Sequence, residues 1–181
     1  MLSKAITKKS KYLSLLLRHD PGQAGLTLDN AGWTYVRALL HAVGWSMAEL
    51  EEIVSTDEKK RYEFDQYKTK IRASQGHSVD VDLGYEIKVP PEYLYHGTSR
   101  DNLSDIKSKG LLKMDRHDVH MFADKDLALD IAKKRRKNPV VLTISSGKMS
   151  TDGFQFKLST NNVWLVERVP PPYLRFELLT F

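Results

Sequence analysis

Short polar runs in this chain carry residue types suited to gripping phosphate and moving a proton. The first is LLRHDP, where Arg18 and His19 follow an apolar stretch. The second is KIRASQGHS, residues 70–78, with Arg72 and His77 around Gly76. A guanidinium is charged at any working pH and can hold two phosphate oxygens at once, and an imidazole titrates near neutrality. In YLYHGTS at 93–99, His96, Gly97 and Thr98 end a predicted strand and would be presented at a rim, with Gly97 allowing a ligand close to the backbone. RHDVH at 116–120 adds Arg116, His117 and His120, but no third histidine or carboxylate falls at a familiar metal-ligand spacing. KKRRK at 133–137 is the densest charge run.

Each run also has an ordinary use. Arg18 and His19 at the end of a helix satisfy its dipole. An Arg in a strand normally points to solvent, although the Ser-Gln-Gly-His turn after Arg72 could offer backbone N–H groups to an anion. The HGT tripeptide can be a plain loop, and five consecutive cations are most often a solvated helix face or a polyanion patch. Neither GxxxxGK[ST] nor GxGxxG occurs, so the standard phosphate loops are absent.

The elements that must position these residues follow from apolar spacing. Residues 3–18 place Ile6, Tyr12, Leu13, Leu16 and Leu17 at near-helical intervals up to the DPG break at 20–22. LTLD at 26–29 alternates like a short strand. Trp33 to Val43 gives a second helix stopped by Gly44, with Val36, Leu39, Leu40 and Val43 inward. Ser46 caps a third helix through Val54, with Glu49 as its capping-box partner. RYEF at 61–64 and TKIRA at 69–73 form a hairpin around DQYK. Helix, strand, helix, helix and two-stranded wing is the order of a winged helix.

Val89-Pro90-Pro91 reads as a stiff extended link. Beyond it the pattern predicts a strand at YLYHG, a helix from Ser99 to Gly110, a strand at VHMFA and a helix over KDLALDIAKKRRK. PVVLTIS is a buried strand, and FQFKL, NVWLV and YLRFELL complete an α+β unit. The expected domains are 1–88 and 89–181.

The 181 residues can bury a real core, and 41% apolar with 28% charged is ordinary for a globular chain. A formal net charge of +5 favours a polyanionic partner. The absence of cysteine excludes disulfides, thiolate catalysis and Cys-based zinc sites. The basic start MLSKAITKKSK precedes only a short apolar run with no small-residue cleavage site, so no secretory signal is expected. No stretch approaches the ~20 apolar residues of a membrane span. A cytoplasmic monomer is the simplest expectation.

Taken together and in order, LSLLLRHDP, Gly32-Trp33, KKRYEF, IRASQGHS, YLYHGT, Gly110-Leu111, RHDVHMF, PVVLTI, NVWL and VPPPYL resemble the NAD-dependent RNA 2′-phosphotransferase family. The resemblance spans roughly residues 10 to 175. It implies an N-terminal winged-helix lobe, an ADP-ribosyltransferase-like C-terminal lobe and an active site in the cleft between them. It also implies a reaction that moves an internal RNA 2′-phosphate, of the tRNA splice-junction type, onto NAD. The products would be 2′-OH RNA, nicotinamide and ADP-ribose 1″,2″-cyclic phosphate, reached through an ADP-ribosylated RNA 2′-phosphate. NAD would be consumed as a co-substrate, with no metal.

By motif, the family's essential quartet falls on Arg18, His19, Arg72 and Arg135. The NAD contacts fall on His96, Gly97, Thr98, Arg116 and His120. Arg135 is aligned through a segment reading Arg-His-Gly in many relatives, where this chain has Lys133, Arg136 and Lys137 nearby. Helix geometry is expected to select the same residue, because Arg135 lies four residues after Ile131 and borders a face that Leu127 and Ile131 would turn inward. Two further departures are Asn162, where relatives usually have Gly, and Phe122 within MFA at 121–123, where they have a hydroxyl residue. Asn tolerates left-handed backbone, so the turn at 162 is expected to survive. Two other classes fit parts of the pattern. One is an ADP-ribosyltransferase acting on phosphorylated nucleic-acid ends or another acceptor and stopping after the first step. The other is a non-catalytic nucleic-acid-binding winged helix, against which the intact Arg18, His19, Arg72 and His96 argue.

Overall fold

The structure, a computed structural model, describes residues 4–134 and 137–176. The fold is mixed α and β with small antiparallel sheets. The chain divides into two units, Met1–Gly84 and Tyr85–Phe181, each with its own apolar cluster.

In the first unit, helix α1 (Lys4–Arg18) buries Leu13, Leu16 and Leu17 completely, as their spacing along one stripe requires. Asp20 caps the 3₁₀ turn Pro21–Ala24 by accepting from the Gln23 N–H. The strand expected at 26–29 does not form. Leu26 is buried there, but the Asp29 carboxylate accepts from the N–H groups of Ala31 and Trp33 and folds the chain into a turn. The strand comes after that turn, as β1 (Thr34–Tyr35), so helix α2 (Val36–Val43) starts three residues later than the sequence pattern suggests. Helix α3 (Met47–Ser55) has the full Ser46–Glu49 capping box. Strands β2 (Tyr62–Phe64) and β3 (Lys70–Ala73) form the expected hairpin, with Glu63 opposite Arg72. Strand β1 pairs on the other side of β3, giving the order β1-β3-β2.

In the second unit the Pro90-Pro91 segment is fastened rather than free. The Lys88 N–H donates to the Phe156 carbonyl, and the Pro91 carbonyl accepts from the Ser146 hydroxyl. Strand β4 (Leu94–Ser99) leads through a 3₁₀ turn, Arg100–Asn102, into α4 (Leu103–Lys109). Then follow β5 (Leu111–Leu112), β6 (Val119–Met121), α5 (Lys125–Lys133) and β7 (Pro139–Ile144). Helix α6 (Ser146–Thr151), β8 (Lys157–Leu158), β9 (Trp164–Val166), β10 (Arg168–Val169) and β11 (Leu174–Arg175) complete the unit. The sheet orders are β11-β7-β4, β6-β9-β8 and β10-β5. Reciprocal bonds between Tyr95 and Phe122 join β4 to the end of β6. Helix α6 and the two-residue strands β5 and β10 leave too little pattern for sequence reading.

Helix α5 is turned differently from expectation. Ala128 and Ala132 are buried, whereas Leu127 is 45% exposed. The cause is Gly97 on β4: a Cβ there would lie 2.5 Å from the Ala128 carbonyl oxygen and 2.8 Å from the Ala132 Cβ. Strand and helix meet backbone to backbone, so only the alanine stripe fits. The inward face is therefore that of Ala128 and Ala132, not of Leu127 and Ile131, so helix geometry does not select Arg135. Arg135 itself lies outside the described residues.

Among the described residues no helix is long and apolar enough to cross a membrane.

Candidate functional site

Within the first unit, three segments distant in sequence converge: the end of α1, the turn at 29–33, and β3 with the loop after it. Arg18 closes α1 and is only 9% exposed, with a long bond of 3.5 Å from Nη2 to the Arg61 carbonyl. The Arg61 guanidinium is itself paired with the buried Asp57 carboxylate. Tyr62, beneath, donates to the Ser10 carbonyl at 2.6 Å. Burial raises the Tyr62 hydroxyl pKa even though the Ser10 bond and the Arg18 and Arg61 charges pull it down.

The loop following β3 returns to the helix end. The N–H groups of Ser78 and Val79 both donate to the Arg18 carbonyl, at 2.9 and 3.3 Å. These satisfy an acceptor that an α-helix leaves exposed at its last turn. Next to it, His19 Nδ1 lies 3.0 Å from Ser78 Oγ. The pair is satisfied when His19 donates from Nδ1 and Ser78 Oγ turns its own proton toward the Arg18 carbonyl at 3.5 Å. In a neutral ring that tautomer leaves Nε2 as an acceptor, and in an imidazolium it is a donor.

Arg72 is held on three sides. Its Nε donates to Glu63 Oε1 at 2.6 Å, its Nη1 donates to the Ala31 carbonyl at 3.1 Å, and its guanidinium carbon sits 4.5 Å from the centre of the Trp33 ring. The side chain is 13% exposed, not the solvated strand Arg that is the usual case. Gly32, between Ala31 and Trp33, faces the buried His77: a Cβ there would lie 3.4 Å from Nε2. Thus the 29–33 turn contacts both Arg72 and His77, and the same loop that carries His77 engages Arg18 and His19. The charged groups are fixed before any ligand arrives, which suits stabilisation of an anion.

In the second unit, His96 Nδ1 donates to the His120 carbonyl at 2.8 Å, and Arg116 Nη1 lies 2.7 Å from His120 Nδ1. Since a guanidinium only donates, His120 accepts at Nδ1 and carries its proton on Nε2 when neutral. Arg116 is exposed and His120 is buried, so the pair presents a cation from a fixed base. His117 stands apart from this pair, exposed in the turn. Thr98 is buried, and its hydroxyl accepts from the Asn102 side chain at 3.3 Å. Gly97 admits helix α5, not an open approach from solvent. Gly97 and Thr98 therefore have packing roles in the strand. Asn162 adopts φ 60°, and its N–H donates to the Ser159 carbonyl, so the turn survives without Gly.

Arg116–His120 and His96 are brought together in one unit, and Arg18, His19 and Arg72 in the other. Sequence reading missed Glu63, Asp29, Asp57 and Ser78. Glu63 had a signal: a hairpin turning at 65–68 puts residue 63 opposite 72. Among the described residues no three His, Asp or Glu side chains are grouped to hold a metal ion.

Residues 4–168 match the family described as "RNA 2'-phosphotransferase, Tpt1 / KptA family". The chain is 46% identical over 175 residues to a "Probable RNA 2'-phosphotransferase" of Burkholderia pseudomallei, covering 94% of this chain and 95% of that protein. It is 44% identical over 181 residues to the protein of the same description from Streptomyces coelicolor, covering 97% of this chain and 98% of that one. A Flavobacterium johnsoniae protein so described is 45% identical over 173 residues, with 93% and 94% covered. Likeness at this level over nearly the full length, with the Arg18-His19 and Arg72 runs inside the matched span, shows that the chain belongs to the RNA 2'-phosphotransferase, Tpt1 / KptA family.

Proposed function

We propose that this chain removes an internal 2′-phosphate from RNA and transfers it to NAD, releasing 2′-OH RNA, nicotinamide and ADP-ribose 1″,2″-cyclic phosphate. The observation that carries this reading is the three-sided clamp on Arg72, in the same unit as Arg18 and His19. In this reading the first unit is a winged-helix RNA lobe and the second an ADP-ribosyltransferase-like NAD lobe. The descriptions of the relatives support an RNA substrate.

Arg72 holds the 2′-phosphate as a planar fork whose orientation is set by Glu63, Ala31 and Trp33. After a 2′-phosphate oxygen has displaced nicotinamide from the NAD ribose, the ribose 2″-hydroxyl attacks phosphorus and the RNA 2′-oxygen departs; Arg18, together with the family-aligned Arg135, takes up the charge that builds on the phosphoryl oxygens. His19, oriented through Ser78, gives a proton to that oxygen. NAD supplies the accepting ribose and a nicotinamide that is already a good leaving group. The donor set of the second unit fits such a dinucleotide: Arg116 offers a cation to the pyrophosphate, His120 fixes it, and His96 is locked in one tautomer beside them. Gly97 seats β4 against α5, Thr98 ties the strand to Asn102 in the turn before α4, and together they set the position of His96.

The test is incubation with NAD and a short RNA bearing one internal 2′-phosphate, with products followed over time. Nicotinamide, 2′-OH RNA and the cyclic phosphate are expected in equal amounts, undiminished by a chelator. Accumulation of ADP-ribosylated RNA as the end product supports the one-step alternative. Unchanged RNA overturns both.

A further inference from the structure

Strand β3 alternates two buried residues, Ile71 and Ala73, with two outward cations, Lys70 and Arg72. Each outward cation sits over an aromatic ring, one at the end of the 29–33 turn and one on the strand that follows it. Arg72 lies over Trp33 at 4.5 Å, and Lys70 lies over Tyr35 at 5.3 Å. Tyr35 is directly opposite Lys70 in the register, on edge strand β1, and is 63% exposed. Asp29 holds the pair in place: Oδ2 accepts from Lys70 Nζ at 3.1 Å, while Oδ1 accepts from the backbone of the turn. The two cation–aromatic pairs are therefore one repeated unit, set about 6.8 Å apart along the strand.

We propose that Tyr35 and Lys70 form a subsite for the nucleotide next to the 2′-phosphorylated one, with its base stacked on the Tyr35 ring and its backbone phosphate on Lys70. The inference rests on the reading of Arg72 as the holder of the 2′-phosphate. Given that, the strand spacing is of the order of one nucleotide step, and the next cation along the same face meets the next phosphate. A lysine ammonium has three donors, so it can keep Asp29 and still bind a phosphate oxygen. The exposed tyrosine is of the type on which a base stacks without sequence preference. A continuous face carrying cations and one open aromatic ring suits single-stranded RNA.

The experiment compares kcat/KM for two substrates: a five-nucleotide RNA with the 2′-phosphate at its centre, and a single 2′-phosphorylated nucleotide. Affinity for the five-nucleotide RNA is measured in parallel by fluorescence anisotropy. Tyr35→Ala is expected to lower the ratio of the two kcat/KM values, and the affinity, about tenfold. Tyr35→Trp should hold both near wild type. Lys70→Gln should reduce the slope of log affinity against log salt by about 0.7. A ratio and affinity unchanged in Tyr35→Ala, or an equal fall on both substrates, overturns the subsite. So does a Tyr35→Trp defect as large as that of Tyr35→Ala. Failure of the wild type to turn over either substrate overturns the transfer reading instead, and anisotropy with Tyr35→Ala still decides whether the platform binds RNA.

Discussion

Replacing Arg72 by Lys keeps the charge and removes the fork, so it separates the two things this residue offers. The structure says what is lost. The Nε–Glu63 bond and the Nη1–Ala31 bond leave from different corners of one plane, and that plane lies against Trp33. An ammonium, a point charge with no plane to lay on Trp33, cannot reproduce all three contacts at once. A hydrogen bond to a charged group is worth about 1.5–3 kcal/mol, and a cation over an aromatic face about 0.5–1 kcal/mol at a partly open site. Most of the ground-state loss shows as a modest fall in melting temperature. The catalytic loss comes from the missing fork: in the proposed mechanism two N–H groups of one fixed plane grip the phosphate, and an ammonium offers no such bidentate contact. One charge-assisted bond lost in the transition state, at about 2.7 kcal/mol, corresponds to about two decades in rate. Single-turnover release of the RNA 2′-phosphate at saturating NAD is the assay, with circular dichroism melting to separate unfolding from misplacement. Turnover by Arg72→Lys within threefold of wild type would show that a point charge suffices and that the clamp by Glu63, Ala31 and Trp33 is unrelated to catalysis.

Other outcomes follow from the same geometry. Ser78→Ala should lower kcat about fivefold with little change in KM for RNA, and Ser78→Thr should restore it, because one hydrogen bond of about 1 kcal/mol orients His19; a change in KM alone contradicts this. Arg18→Ala or His19→Ala should let ADP-ribosylated RNA accumulate on a gel, since the proposed mechanism uses both in the second step; loss of both steps with no such species refutes that assignment. Gly97→Ala should destabilise the second unit by about 1–3 kcal/mol in urea titration, because its Cβ meets the Ala128 carbonyl at 2.5 Å; an unshifted midpoint refutes the close packing. The Lys9 hydrogen bond, with the Ser46 N–H and hydroxyl, holds Glu49 down to about 2 from 4.5. Its stabilisation is therefore complete above the ordinary value and is lost as pH falls from there through about 2. The melting-temperature gap between wild type and Glu49→Gln should close over that window, and a constant gap would exclude the linkage.

The parts of the fold that announced themselves were those governed by local rules. The Leu13, Leu16, Leu17 stripe, the Ser46–Glu49 box and the 61–73 hairpin are each specified within a dozen residues. Arg18, His19 and Arg72 stood out because cations and an imidazole beside apolar segments are easy to see. What surrounds them was not visible, since the Ala31 carbonyl and the Trp33 ring reach Arg72 only through the turn that Asp29 builds. The same turn replaced the strand expected at 26–29. Helix α5 misled for a different reason: hydrophobicity favours Leu127 as the inward residue, but the depth of contact with Gly97 leaves room only for alanine. Helix α6 is held from outside its own sequence, by the Ser146 bond to Pro91.

The two N–H groups that converge on the Arg18 carbonyl come from residues about sixty positions downstream. Closing so large a loop carries an entropic penalty that only the rest of the unit can offset, so this contact cannot persist in a locally folded fragment. The amide protons of Ser78 and Val79 are thus natural reporters. Their hydrogen exchange should proceed through opening of the first unit as a whole, or of the loop against the helix end, and the two regimes differ in denaturant dependence. A ligand gripping Arg18, His19 or Arg72 would slow exchange at these two amides although it touches neither.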